Sequence, residues 1–189
     1  MCARDGGGWA VWIGQRCWPS PASLAKAGLA GRSLLVDPGT HTERVWAADL
    51  ALRCPAVGAV VLDGAGLTMA ESRRLHLSAG SPRDGAQPAL GLVVRPGHEV
   101  KALSAARTRW MVCPALSDDQ RPRWAVRLAR WRGRAGEDGA GAVWASAEPA
   151  LSWLVRYDHE TGGVSVVPAV GGGCLPATDA LEGRRARAG

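Results

Sequence analysis

The sequence predicts an α/β fold in which a parallel β-sheet with flanking helices is followed by antiparallel strands. Four short apolar runs occupy residues 9–13, 34–36, 59–62 and 90–94. Gly14 and Gln15 follow the first run, and each of the other three ends at a charged residue. Segments with helix-start signals separate these runs, and strands that alternate with helices form parallel sheets buried on both faces. After residue 107 the sequence changes to alternating apolar and charged residues, which is typical of antiparallel strands.

The first strand is predicted at Trp9–Ile13, where the sequence reads WAVWI. Ser20 and Pro21 provide an N-cap and a first helical position for a short helix that ends at Ala27. The apolar run at residues 34–36 then forms the second strand.

Paired capping residues predict two longer helices. Thr40 lies three residues before Glu43, and Thr68 lies three residues before Glu71. In this spacing the Thr hydroxyl accepts a hydrogen bond from the third backbone N–H, and the Glu carboxylate accepts one from the N-cap amide. Helices are therefore expected to begin after Thr40 and after Thr68, the second one spanning residues 69–79.

The first of these helices should end at Cys54, because Pro55 disfavours α-geometry in the residue before it. An apolar stripe along this helix faces the sheet, and Asp49 with Arg53 forms an i,i+4 ion pair on the solvent side. The stripe consists of Val45, Ala48 and Leu52.

The carboxyl ends of the four predicted parallel strands meet along one edge of the sheet. The residues that follow or end these strands are Gln15, Asp37, Asp63 and Arg95. Open α/β sheets bind their ligands at this edge, so these four residues are the first place to look for a site.

The second half of the chain is predicted to contain four strands, and the last two of them form a hairpin. The hairpin loop reads DHETGG, whose glycines suit positive backbone φ angles. We expect an N-terminal stub at residues 1–8, a domain at residues 9–168, and a disordered tail at residues 169–189 that has little apolar material to bury. The strands are predicted at residues 110–113, 123–128, 151–157 and 164–167.

Composition limits the classes of protein to consider. No apolar run approaches the 18 residues of a membrane-spanning helix, and the N-terminus lacks a signal-peptide core, so we expect a cytoplasmic protein with no membrane partner. The five cysteines show neither C-x-x-C nor zinc spacing, so neither a metal site nor a disulfide framework is expected. No cofactor is expected either, because the sequence lacks a G-x-x-x-x-G-K-[ST] motif for nucleotide phosphates. The net charge of +6 is concentrated, because residues 101–135 alone contain nine basic and two acidic residues.

Several segments resemble RecA-type proteins. The segment VGAVVLDG, which ends near Asp63, resembles their acidic-strand motif, and SLLVDPGTHTERVWAADLALR resembles the strand, loop and helix before it. The order of segments from WAVWI to PRWAVRLARWRG is most similar to the ImuA family, whose relative SulA has the same reduced core. This resemblance implies a RecA-like core in an accessory protein of SOS translesion synthesis, with a polymerase-like ImuB-type protein, RecA and DNA as partners.

The sequence departs from RecA-type ATPases because it has no G-x-x-x-x-G-K-[ST] phosphate-binding loop. Without that loop, Asp63 has no Mg·ATP to orient. It is interpreted as a carboxylate that caps local amides, or as a vestigial nucleotide contact, and no catalytic residue is expected. Two other hypotheses stay open: a SulA-like division inhibitor that binds a tubulin-like GTPase, and an ATPase whose N-terminal part lies upstream of Met1.

An arginine-rich run with two interleaved tryptophans is the main candidate for macromolecular contact. Arginines neutralise phosphates, and aromatic rings stack on bases, but alternation places Trp124 on the face opposite to Arg123. Contact with DNA, contact with a protein partner, and a solvated sheet edge that resists aggregation therefore stay open. The six candidates are Arg121, Arg123, Arg127, Arg130, Arg132 and Arg134.

Overall fold

The computed structural model describes residues 8–80, 87–117, 121–132, 144–145, 152–158 and 160–167. The chain divides into two compact units, one within residues 1–106 and one within residues 107–189. Most of the predicted N-terminal stub and the whole predicted tail at residues 169–189 lie outside the described residues.

The first unit alternates strands with helices, as the sequence predicts. Short 3-10 turns at Gln15–Cys17, Ala30–Arg32 and Gly97–Glu99 connect or follow these elements. The elements are β1 (Trp9–Ile13), α1 (Pro21–Lys26), β2 (Ser33–Val36), α2 (His41–Arg53), β3 (Val57–Asp63), α3 (Met69–Ala79) and β4 (Leu90–Val94).

The four strands form one sheet in the order β2-β1-β3-β4, and all three neighbouring pairs are parallel. The prediction of a parallel sheet in the first half is therefore confirmed. From β1 the chain goes to β2 on one side and then to β3 on the other side of β1. The switch point between β1 and β3 is where open sheets of this kind leave a crevice for ligands.

The start of α2 and the start of α3 both have the predicted capping box. Thr40 Oγ1 accepts a hydrogen bond from the Glu43 amide at 3.2 Å, and Thr68 Oγ1 accepts one from the Glu71 amide at 3.3 Å. Each Glu carboxylate accepts a bond from the N-cap amide in return. Local sequence signals thus determine where both helices begin.

The core of this unit lies where α2 and α3 pack against the sheet and against each other. Ile13 of β1 and Leu62 of β3 are almost fully buried there. The other buried members of this core are Val11, Val45, Ala48, Leu52, Val57, Val60, Leu67, Leu75 and Ala89.

Asp49 of α2 is buried, and the prediction that it lies on the solvent side is wrong. Its i,i+4 pair with Arg53 is present, with an N–O distance of 3.3 Å. However, α3 supplies two more partners, Arg74 at 2.7 Å and the Ser78 hydroxyl, which also donates to this carboxylate. Because helical periodicity within α2 does not specify where α3 packs, the sequence pattern missed this cluster.

The second unit is an antiparallel sheet, as predicted. Its strands have the order β5-β6-β8-β9, and β7 pairs with one end of β6. Gly162 in the loop between β8 and β9 has a φ of 71°, which agrees with the glycine requirement of the hairpin. The strands are β5 (Thr108–Ala115), β6 (Arg123–Arg132), β7 (Trp144–Ala145), β8 (Ser152–Tyr157) and β9 (Val164–Val167).

Candidate functional site

Asp63 ends β3 beside the switch point of the parallel sheet, and only 5% of its surface is exposed. Its Oδ2 atom accepts a hydrogen bond from Arg44 Nη1 at 3.0 Å and lies 3.3 Å from Arg16 Nε. Its Oδ1 atom accepts a bond from the Ala65 amide at 3.2 Å. Three donors from three different segments therefore surround this carboxylate.

The backbone beside Asp63 is specialised for close approach. Gly14 follows β1 with a φ of 90°, a conformation that favours glycine. A Cβ atom at this position would lie 2.8 Å from Asp63 Cβ. The glycine therefore allows the end of β1, and with it Arg16, to come close to the Asp63 carboxylate.

Arg44 extends the polar network from Asp63 to α3. Its Nη2 atom lies 3.1 Å from His41 Nδ1, and His41 Nε2 lies 2.9 Å from Glu71 Oε1. Since a guanidinium has donors only, His41 Nδ1 accepts and His41 Nε2 donates to Glu71. The amide and hydroxyl of Thr68, assisted by His41, hold the pKa of Glu71 below its usual value.

The loop after β4 fastens the turn that follows Asp63. Glu99 accepts a hydrogen bond from the Gly66 amide at 2.9 Å, and Arg95 donates to the Leu67 carbonyl at 3.0 Å. Arg95 and Glu99 also pair with each other at 2.7 Å. The Gly66 amide, followed by the Arg95 guanidinium, lowers the pKa of Glu99.

These contacts occupy most of the acceptor capacity of Asp63. A carboxylate offers about four lone-pair sites, and three donors already approach it, namely the Ala65 amide, Arg44 and Arg16. The capping role inferred from the sequence agrees with the Ala65 amide bond. The two arginine contacts come from distant segments, and nothing in the local sequence around Asp63 indicates them.

The second candidate site lies on one face of the antiparallel sheet, which we call the arginine face. It is defined by Arg109 of β5, Arg123, Arg127 and Arg130 of β6, and Arg156 of β8. Arg123 pairs directly with Arg156, and Arg109 pairs directly with Arg130. Residues directly opposite each other in neighbouring strands point to the same face, so three strands contribute arginines to this surface.

A register shift in β6 brings Arg130 to the arginine face. Leu128 pairs with Trp110, and Arg130 pairs with the adjacent residue Arg109, so that Ala129 is an extra residue on β6. Such a bulge reverses the alternation of the residues beyond it. Strict alternation from Arg123 would have placed Arg130 on the opposite face, with Trp124.

Arg127 occupies the middle of this face, in register with Met111 of β5 and Ser152 of β8. Its Nη2 atom lies 2.9 Å from the sulfur of Met111, which confirms that both side chains lie on the same side. Like charges directly opposite each other in neighbouring strands destabilise a sheet. The residues of this face in β5, β6, β8 and β9 include no Asp or Glu.

The six arginines predicted from the sequence are thus only partly brought together. Arg121 is exposed just before β6, and its charge assists the Glu160 amide in lowering the pKa of Asp158. The backbone of Arg132 pairs with Trp144, but its side chain, and all of Arg134, lie outside the described residues.

Sequence reasoning missed Arg109 and Arg156, which belong to the arginine face. Arg109 precedes the predicted strand start at residue 110, and Arg156 lies inside the predicted strand at residues 151–157. Alternation along β8 places Ser152, Leu154 and Arg156 on one face, so the sequence could have shown that these three side chains point the same way. Only the pairing register shows that Arg156 lies opposite Arg123.

Comparison of the sequence with known protein families and with curated proteins found no match to either. No helix in the described part of the chain has both the length and the apolar character that crossing a bilayer requires.

Proposed function

We propose that the protein is a non-enzymatic accessory factor of SOS translesion synthesis, with a reduced RecA-like core, and that it acts by binding DNA and proteins. The observation that carries this proposal is the arginine face, where five arginines from three strands share one surface. A surface of this kind suits a polyanion, because guanidinium groups bind phosphates through charge-assisted hydrogen bonds.

The size of the arginine face fits a stretch of nucleic-acid backbone. From Arg123 to Arg130 the strand extends about 24 Å at 3.4 Å per residue, and Arg109 and Arg156 widen the surface to three strands. A strand of B-form DNA presents one phosphate per about 3.4 Å of axis. The arginine face can therefore contact several successive phosphates.

The surroundings of Asp63 support the non-enzymatic part of the proposal. In a RecA-type ATPase the strand-end carboxylate takes part in Mg·ATP chemistry, but here it contacts Arg44, Arg16 and the Ala65 amide. Hydrolysis of radiolabelled ATP at RecA-like rates by the purified protein would contradict this part.

Fluorescence anisotropy with a labelled single-stranded 30-mer tests the DNA-binding part. Each phosphate contact with a single strand contributes about −0.7 to the slope of log association constant against log salt concentration. If all five arginines contact phosphates, this slope is about −3.5. The affinity then drops about 100-fold between 50 and 200 mM salt. Replacing Arg123 and Arg156 with Gln reduces the slope to about −2.1.

The matched control replaces Arg32 and Arg73 with Gln, because both are exposed in the first unit and their loss changes the net charge equally. This control keeps the slope of the unmodified protein. A slope near zero, or equal losses in the two double variants, excludes the arginine face as a DNA-binding surface.

The cellular part of the proposal requires a genetic test. Deletion of the gene should lower mutagenesis induced by DNA damage, and complementation with the Arg123→Gln, Arg156→Gln variant should restore it only in part. Co-purification with an ImuB-type protein or with RecA tests the proposed partners. Inhibition of the polymerisation of a tubulin-like GTPase would instead identify a division inhibitor.

A further inference from the structure

The antiparallel sheet has a second face, which we call the apolar face, and the described side chains of β5, β6, β8 and β9 place no charged group on it. Strand pairing places its members on the side opposite to the arginine face, and the rings of Trp110 and Trp153 contact each other there with centroids 5.7 Å apart. The apolar face comprises Trp110, Val112, Pro114, Trp124, Val126, Leu128, Trp153, Val155, Tyr157, Val164 and Val166.

Much of the apolar face is exposed. Val112 in one edge strand is 59% exposed, and Val164 and Val166 in the other edge strand are 66% and 64% exposed. The central strands β6 and β8 contribute side chains that are only partly buried. Within the described ranges of this unit every element is a strand of this one sheet, so those elements supply no second layer to cover the face.

We propose that the apolar face binds the same face of a second copy of the chain, forming a two-fold symmetric dimer. In such a dimer the two sheets pack as a sandwich about 10 Å apart, with their strands crossing at about −30°. The contact is isologous, so one patch serves both partners. This inference does not depend on the proposed role in DNA repair.

The shape of the apolar face favours an identical sheet over a helix as the occupant. Four strands about 4.8 Å apart make a surface about 19 Å wide, whereas a helix with its side chains is about 10–12 Å across and leaves part of it uncovered. A second sheet with the same twist matches both its width and its curvature.

The area and charge of the apolar face also agree with a dimer. Each of its eleven residues occupies about 33 Å² in projection, which gives about 360 Å² per copy and about 700 Å² for the pair. An area of this size lies below that of standard interfaces and falls in the range of weak, transient contacts. The two arginine faces point away from the contact, so the arginines of the two copies are not brought together there.

Sedimentation velocity of the full chain between about 1 and 200 μM tests the dimer. An interface of this size predicts a dissociation constant in the micromolar range, and a mass twice the 19.7 kDa of the chain at the upper concentrations. Val166→Lys places a charge in the contact and is expected to raise the dissociation constant at least tenfold, while Ser165→Lys leaves it within threefold.

Ser165 is the matched control because it is the neighbour of Val166 in β9, is also exposed, and points to the arginine face. Val112→Lys on the opposite edge strand should act like Val166→Lys. Both valines are exposed within their own chain, so unchanged circular dichroism should accompany the loss of the dimer. If the wild-type chain is still a monomer at 200 μM, the proposal is wrong. The apolar face would then be covered by another part of the same chain or by a different protein. A Val166→Lys chain that dimerises like the wild type overturns the proposal as well.

Discussion

Replacing Arg44 with Met is expected to lower the free energy of unfolding of the first unit by about 2–3 kcal/mol. Removing one partner of a buried ion pair costs about 3–5 kcal/mol, because the other charge stays buried without compensation. Here the carboxylate of Asp63 keeps two weaker partners, the Ala65 amide and Arg16, whose side chain is 66% exposed. The expected loss is therefore below that range.

Urea denaturation followed by circular dichroism at 222 nm measures this loss, because all the described helices lie in the first unit. With a denaturant slope of about 1–3 kcal/mol/M, the midpoint falls by about 0.7–3 M. Arg53→Met is the matched control. Arg53 lies on the same helix and also pairs with a buried aspartate, but its side chain is 57% exposed, against 17% for Arg44. Its loss is expected to cost less than about 1 kcal/mol.

The double variant of Arg44→Met and Asp63→Asn distinguishes two roles for Asp63, namely a structural partner of Arg44 and a carboxylate that takes part in chemistry. If the pair is structural, the two substitutions together cost less than the sum of the single losses, with a coupling of about 1–2 kcal/mol. A carboxylate kept for chemistry often reduces stability, so that neutralising it stabilises the fold. A more stable Asp63→Asn variant, or an Arg44→Met loss no larger than that of Arg53→Met, would refute the structural role of the pair.

Two other predictions concern the first unit. Burial opposes the ionisation of Asp49, but hydrogen bonds from Arg74 and Ser78 and nearby guanidinium charges outweigh it, so the pKa of Asp49 is lowered. Since the folded pKa lies below the unfolded value of about 4, the stabilisation is complete above that pH and is lost as the pH falls further. The urea midpoint of Asp49→Asn should therefore depend less on pH below about 4, and an equal dependence would contradict this assignment. Gly64→Ala would place a methyl group against Val93 Cγ1 and should cost about 1–3 kcal/mol, measured by thermal unfolding, whereas Gly31→Ala, which meets no atom within 4 Å, should cost almost nothing.

The parts of the fold that local sequence determines were predictable. The capping boxes at Thr40 and Thr68 fix the starts of α2 and α3, and continuous apolar runs mark the strands of the parallel sheet. The parts set by contacts between distant segments were not predictable. The burial of Asp49 depends on where α3 packs, and the arginine partners of Asp63 come from α2 and from the turn after β1.

The arginine face shows the same limit within a β-sheet. Alternation along β6 correctly separates Arg123 and Arg127 from Trp124. It does not reveal which residues of β5 and β8 lie opposite, because pairing register is a property of two strands. The extra residue Ala129 further reverses the alternation before Arg130, and nothing in the sequence marks that bulge.

The placement of arginines differs between the two units, and the arginine content of the sequence does not explain that difference. In the first unit five described arginines contact carboxylates, namely Arg16, Arg44, Arg53, Arg74 and Arg95. In the second unit, cross-strand register places Arg123 opposite Arg156 and Arg109 opposite Arg130. A high arginine content does not by itself set the cross-strand register that places these arginines opposite one another. Opposed like charges reduce sheet stability, and the proposed DNA contact would place phosphates over these arginines.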